Sequence, residues 1–238
     1  MFFRYDFHNH SCLSPCGDND MTPCNIVGMA KILSLDIIAL TDHNSCLNCP
    51  AAVELGKKEG ITVIPGMELC TAEEIHVVCL LPNVETALEF SSYVKKRIPP
   101  VKNREEIFGE QLILSQNDEI LGKEDLLLTT ASSIGIYEVP ALIKSFGGAA
   151  FPAHINRSSY SVISSLGEIT ADMGFLCAEF TKDADVKEYV RRFPALSDMK
   201  IFYNSDAHYL ENMNLDPKHI DLPKPTAEEV IKYINSCK

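Results

Sequence analysis

The sequence predicts an α/β fold, a distorted (β/α)7 barrel of the TIM-barrel type, from three observations. Short apolar runs with the length of buried parallel strands recur along the 238 residues. Helical patterns separate most of these runs. Imidazoles or carboxylates stand at the ends of the runs, and barrels of alternating strands and helices gather their functional groups at the carboxyl ends of the strands.

Seven runs qualify as strands: Phe3–His8, Asp36–Thr41, Thr62–Gly66, Ile75–Leu81, Ala149–His154, Phe175–Phe180 and Lys200–Asn204. After the first, Thr22 with Pro23 marks a helix start, a capping hydroxyl followed by proline at the first helical position, and the helix should run to about Leu33. After the second, apolar spacing over Pro50–Glu59 predicts a helix closed by Gly60. The interval from Pro82 to Gly148 is too long for one crossover helix. It holds a Pro99-Pro100 break, the charged segment 102–106, a turn signal at Asn117-Asp118 and a helical pattern over Tyr137–Phe146. Residues 82–148 are therefore expected to form a helical insertion with a small hairpin, between strands four and five and beside the pocket mouth, within one domain of residues 1–238. Thr226 with Glu229 is a capping box for a last helix to about Asn235. No Gly-x-Gly-x-x-Gly follows a strand, which counts against a dinucleotide fold.

With 46% hydrophobic residues the chain can fill a large core. No apolar stretch reaches the ~18 residues of a membrane span, and the N-terminus lacks a signal-peptide layout, so a cytoplasmic protein without a membrane partner is expected. Nine cysteines fit free thiols in a reducing compartment. The net charge of −12 argues against duplex nucleic acid as a partner but leaves room for a small anionic substrate.

Six of the seven histidines fall in the motifs His8-Asn9-His10, Thr41-Asp42-His43-Asn44, Ile75-His76-Val77, Pro152-Ala153-His154 and Ser205-Asp206-Ala207-His208, and Glu68 ends another apolar run in Gly66-Met67-Glu68. His8 and His10 are two apart on one strand end, so both can reach one ion. Imidazoles and carboxylates in such a set are the usual ligands of zinc, manganese or iron. These motifs, in this order from residue 6 to 208, resemble those of the polymerase and histidinol phosphatase (PHP) family of metallophosphoesterases.

The resemblance implies two to three divalent ions (Mn, Fe or Zn). His8, His10, Glu68 and Asp206 would hold the first, and Glu68 would bridge to a second held by His76 and His154. His43 and His208 would hold a third with one residue of the first loop. Counting back from Thr22-Pro23 selects Asp18 for that place, with Asp20 as the alternative. Catalysis would rest on His8, His10, Glu68, Asp206 and His208, with a metal-bridging hydroxide attacking a phosphoester. The substrate would be a small phosphorylated metabolite, a nucleotide or an oligonucleotide end. A metal-dependent amidohydrolase or a non-catalytic metal-binding protein is the alternative; no strand-end lysine stands ready to bridge two ions, which weakens the former.

Around this set, Arg157 is expected to clamp phosphate through its planar fork, with Arg104 a weaker candidate. Asn44 and Asn204 flank ligand positions and are expected to donate to phosphate oxygens. Asp42 reads either as a support for a ligand or as a cap on nearby amides, and Glu179 as a support or a substrate contact. Cys12, Cys16, Cys46 and Cys49 lie in neighbouring loops and read as ordinary thiols or as a four-thiolate zinc site. His219 stands outside the pattern.

Overall fold

A computed structural model describes residues 1–182, 184–213 and 216–237. Its strands are β1 (Phe2–Asp6), β2 (Ile37–Leu40), β3 (Thr62–Cys70), β4 (His76–Leu80), β5 (Leu112–Leu114), β6 (Ile120–Lys123), β7 (Ala149–Pro152), β8 (Cys177–Phe180), β9 (Lys200–Tyr203) and β10 (His219–Asp221). The helices that matter below are α1 (Pro23–Ile32), α2 (Cys49–Glu59), α3 (Val84–Lys95) and α4 (Ala227–Ile234). Six strands form one curled sheet in the order β10-β1-β2-β3-β4-β7, while β8 and β9 form a separate parallel pair. That pair is tied to the curled sheet at the rim. Ile155 N–H donates to the Glu179 carbonyl and His10 N–H to the Ala207 carbonyl.

Two features depart from an all-parallel reading. β4 runs antiparallel to both β3 and β7, and the short β10 runs antiparallel to β1. The long β3 turns back through residues 71–75, where Glu74 takes a left-handed φ of 58°. His76 therefore opens β4 instead of ending a strand. The antiparallel course still delivers it to the rim where β3 carries Glu68.

The capping signals work as written. Thr22 Oγ1 accepts from Asn25 N–H at 3.1 Å, Thr226 Oγ1 accepts from Glu229 N–H at 3.3 Å, and Gly60 closes α2 with a φ of 76°. One apolar cluster fills the inside of the curl, where Tyr5 stacks on Phe7 at 4.5 Å and Phe202 meets Phe7 edge-on. A larger one lies between the sheet and the surrounding helices and includes Ala87, Phe90 and Val94 of α3. The β5–β6 hairpin turns at Asn117-Asp118 and lies against the first loop, with Leu112 N–H donating to the Cys12 carbonyl. No helix among the described residues is long and apolar enough to cross a membrane.

Candidate metal centre

Eight side chains named from the sequence meet at one rim of the curled sheet. His8 Nε2 and His10 Nε2 face each other at 3.2 Å. His8 Nε2 lies 3.2 Å from Glu68 and 3.3 Å from Asp206, and His10 Nε2 lies 3.3 Å and 3.2 Å from the same two carboxylates. Glu68 also meets His43 at 2.9 Å, His76 at 3.0 Å and His154 at 3.2 Å. Three groups have ligand atoms mutually within 4.8 Å: His8-His10-Glu68-Asp206, His43-Glu68-His76 and His10-His43-His208.

Strand ends set this convergence. Glu68 sits within β3, and its neighbour on the sheet is His43, bridged to it in parallel just beyond β2. His154 and Asp206 follow β7 and β9 at left-handed φ values of 28° and 50°. Such backbone is uncommon for residues with a Cβ and is held only where surrounding contacts fix it.

The outer nitrogens of the two paired histidines are taken by other groups, which leaves Nε2 of each facing inward. Glu179 on β8 reaches His8 Nδ1 at 3.1 Å with both oxygens, accepts from His154 N–H at 3.0 Å and accepts from Asn204 Nδ2 at 2.6 Å. Ser14 Oγ lies 2.9 Å from His10 Nδ1 and donates to Asp42 at 2.7 Å, and Asp42 also accepts from Ser11 N–H and Oγ, both at 2.6 Å. Partners of this kind fix tautomer and ring orientation in metal sites.

Burial opposes charge throughout, yet the carboxylates prevail on one side of the cluster. Glu179, Asp206 and Glu68 hold His8 well above the usual imidazole range. Despite burial, contacts with Asp206 and Glu68 raise His10 to about 9, and Glu68 together with Cys16 raises His43 to about 9. Burial lowers His76 to about 4 although Glu68 pulls the other way, and burial with the charge of His10 lowers His208 to about 3. Against their own burial, Glu68 is held far below its ordinary value by His76, His8 and His43, and Asp206 by His8 and His10. The field at the centre thus favours positive charge, whether protons or a dication. The donor set fits divalent ions: His43 Nδ1, Glu68 Oε2, His154 Nδ1 and Asp206 Oδ1 are buried without a hydrogen-bond partner, in a setting of imidazole and carboxylate.

Other expected residues fall elsewhere. Asp18 is in none of the three groups; its Oδ1 accepts from Asp20 N–H at 2.8 Å, and Asp20 is exposed. Asn44 is not poised for phosphate. It is buried, its Nδ2 donates to the Leu128 and Thr130 carbonyls and its Oδ1 accepts from Cys70 N–H, so its polar atoms are spent joining the 82–148 segment to β3. Asn204 is likewise spent on Phe7 N–H and Glu179. Arg157 Nη1 pairs with Asp206 at 2.5 Å and, half-exposed, lines a cavity of about 370 Å³ with His154, Lys182, Tyr203 and Lys218. Arg104 is exposed ahead of a short helical turn in the 82–148 segment. The four thiols do not gather. Cys46 and Cys49 are buried and both donate to the Gly66 carbonyl, Cys12 is buried toward Leu112, and Cys16 is exposed. Sequence reading missed Ser11 and Ser14, whose only signal was their place in the loop after the His-x-His pair. It also missed Tyr160, which stacks on His76 at 4.6 Å.

The family model for the PHP domain matches residues 6–135, more than half of the chain. The chain belongs to the PHP family. PHP domains are those of metal-dependent hydrolases, and this PHP chain has a cluster able to hold such metal ions. It is 35% identical over 88 residues to the 5′-3′ exoribonuclease Rnm of Salmonella typhimurium, a match covering 35% of this chain and 28% of that protein. In fold it is similar to a lesion-specific endonuclease, endonuclease Q of Pyrococcus furiosus, with a TM-score of 0.69 at 18% identity over 99% of this chain and 56% of that one. It is also similar to endonuclease Q in complex with a 27-mer duplex carrying an abasic lesion, with a TM-score of 0.64 at 17% identity over 100% and 58%. This PHP chain thus spans little more than a quarter of the matched exoribonuclease. The duplex complex corrects the expectation that a net charge of −12 excludes duplex nucleic acid. Net charge sums the whole surface, whereas contact with a phosphate backbone depends on the charge at the binding face.

Proposed function

We propose that the chain is a metal-dependent phosphoesterase that hydrolyses a phosphoester at a nucleotide or oligonucleotide end. The observation that carries this is the four-residue group in which His8 Nε2 and His10 Nε2 stand 3.2 Å apart, each 3.2–3.3 Å from Glu68 and Asp206. His8, His10, Glu68 and Asp206 would hold a first divalent ion, with Glu68 bridging to a second on His76 and His154 and with His43 and His208 serving a third. Manganese, iron and zinc all suit these donors. Such ions lower the pKa of a coordinated water and neutralise phosphate oxygens.

The chain's own groups then have distinct tasks. Glu179 and Ser14 keep His8 and His10 in the tautomer that turns Nε2 inward. Arg157, at the cavity wall and paired with Asp206, is placed to take a phosphate oxygen. The cavity beside it, with Lys182 and Tyr203, has room for a nucleoside monophosphate. The nuclease relatives favour a nucleic-acid end over an unrelated phosphorylated metabolite. The curled sheet and the β8–β9 pair together read as a distorted (β/α)7 barrel in one domain, with residues 82–148 inserted beside the mouth.

The test is to load the protein with manganese and offer a 5′-phosphorylated short oligonucleotide, a 3′,5′-bisphosphonucleoside and histidinol phosphate, with Glu68→Gln as control. Release of mononucleotide or phosphate by the wild type alone is expected. Stoichiometric metal with no turnover of any of the three would overturn the proposal.

A further inference from the structure

The loop that follows β7 touches the metal centre at two separate places. It leaves His154, turns where Arg157 N–H donates to the His154 carbonyl at 2.9 Å, and continues to Tyr160 and Ser161. Arg157 pairs with Asp206, which belongs to the group of His8 and His10. The Tyr160 ring stacks on His76, which belongs to the group of His43, with centroids 4.6 Å apart and planes 19° from parallel. A cationic fork and an aromatic ring, three residues apart, thus flank one cluster.

Tyr160 is held there against its own backbone preference. Its φ is 52°, in the left-handed region that a bulky residue rarely adopts. Contacts on both sides fix it. His76 N–H donates to the Tyr160 carbonyl at 3.0 Å, and Ser161 Oγ donates to the Arg157 carbonyl at 2.7 Å while capping the short helix Val162–Leu166. Packing on His76 does not by itself account for the ring. Tyr160 stays 45% exposed, whereas the imidazole beneath it is 8% exposed. One face of the ring is spent on His76, and much of the rest is open to solvent. Strained backbone of this kind gathers at ligand clamps and active sites, where surrounding contacts maintain it.

We propose that Tyr160 is the platform on which the terminal base of a nucleotide or nucleic-acid substrate stacks, a specificity-determining residue for the hydrolysis proposed above, on which this inference rests. Arg157 takes a phosphate oxygen at one end of the loop, and Tyr160 takes the base at the other. Every base has a π-face, so stacking selects a nucleotide end over a base-free phosphoester without selecting its sequence.

Two 5′-phosphorylated short oligoadenylates, one intact and one abasic at its first nucleotide, test this on the manganese-loaded protein. Wild type should prefer the intact one. Tyr160→Gly removes the ring at a position whose backbone suits glycine, so the loop keeps its course. The ratio of kcat/KM for intact over abasic substrate should then fall about tenfold, mainly through KM. Tyr160→Phe should keep the wild-type ratio. Because the ratio is taken within one protein, any weakening of metal at His76 lowers both rates alike and cancels. A wild type with equal kcat/KM for the two, a Tyr160→Gly protein with the wild-type ratio, or a Tyr160→Phe protein that loses it overturns the role of Tyr160 alone. A Tyr160→Gly protein inactive on both makes Tyr160 a structural support of His76 and overturns it too. A wild type that hydrolyses neither overturns the phosphoesterase proposal and Tyr160 with it.

Discussion

Two buried carboxylates outside the three ligand groups brace the two halves of the His-x-His pair, and they do so differently. Glu179, on a strand, grips His8 directly and also fixes the backbone at His154. Asp42, in the loop after β2, is not hydrogen-bonded to a histidine ring; it gathers Ser11 and Ser14, and Ser14 meets His10. A strand end can place one carboxylate against a ring without help. A loop must first be given a shape, and the carboxylate that shapes it reaches the ring only through a relay. Damage at Glu179 should therefore appear as a ligand defect, and damage at Asp42 as a loop defect.

Three substitutions can break or sharpen that contrast. Glu179→Gln should have the largest effect on metal, about 100-fold weaker binding of the tightest ion by calorimetric titration, with little change in the ions that follow. If all ions weaken equally, Glu179 is not specific to His8. Asp42→Asn removes the charged acceptor of three short hydrogen bonds and should cost about 2–3 kcal/mol in urea unfolding, with metal loss spread over the ions of His10 and His43, because Ser14 Oγ also accepts from His43 N–H. Selective loss of the first ion instead would make the two carboxylates equivalent. Ser14→Ala should be the mildest, about 1–2 kcal/mol and about tenfold in affinity at His10, since Ser11 still holds Asp42. An effect as large as that of Asp42→Asn would show that Ser14 carries the loop alone.

The sequence was most legible where the information is local. Thr22 and Pro23 set the start of α1 through chemistry within three residues, and Gly60 ends α2 by its own backbone freedom. The clustered histidines could be located because an apolar run followed by a polar residue marks a strand and its end. Direction was not legible: the run Ile75–Leu81 looks the same for a parallel or an antiparallel strand, so β4 and the edge placement of His76 needed the fold. Asn44 misled because its true partners, the Leu128 and Thr130 carbonyls, lie 84 and 86 residues away. Asp18 was chosen by counting along a loop, and counting fails where Gly17 lets the chain turn back on Ser11.

The bridge between Asn9 and Ala207 has a consequence for how the molecule comes together. Phe7 and Asn204, 197 residues apart in sequence, are hydrogen-bonded next to the first ligand pair. The cluster is therefore a long-range closure, formed when the segment of Asp206 and His208 docks beside that of His8 and His10. Contacts of such separation slow folding, because the entropy of a long loop is lost before the contact rewards it. A chain folded through β7 would already contain His8, His10, His43, Glu68, His76 and His154, and would still lack Asp206 and His208. Full metal uptake is then a late event in assembly, and it reports that the segment after β9 has docked beside the end of β1.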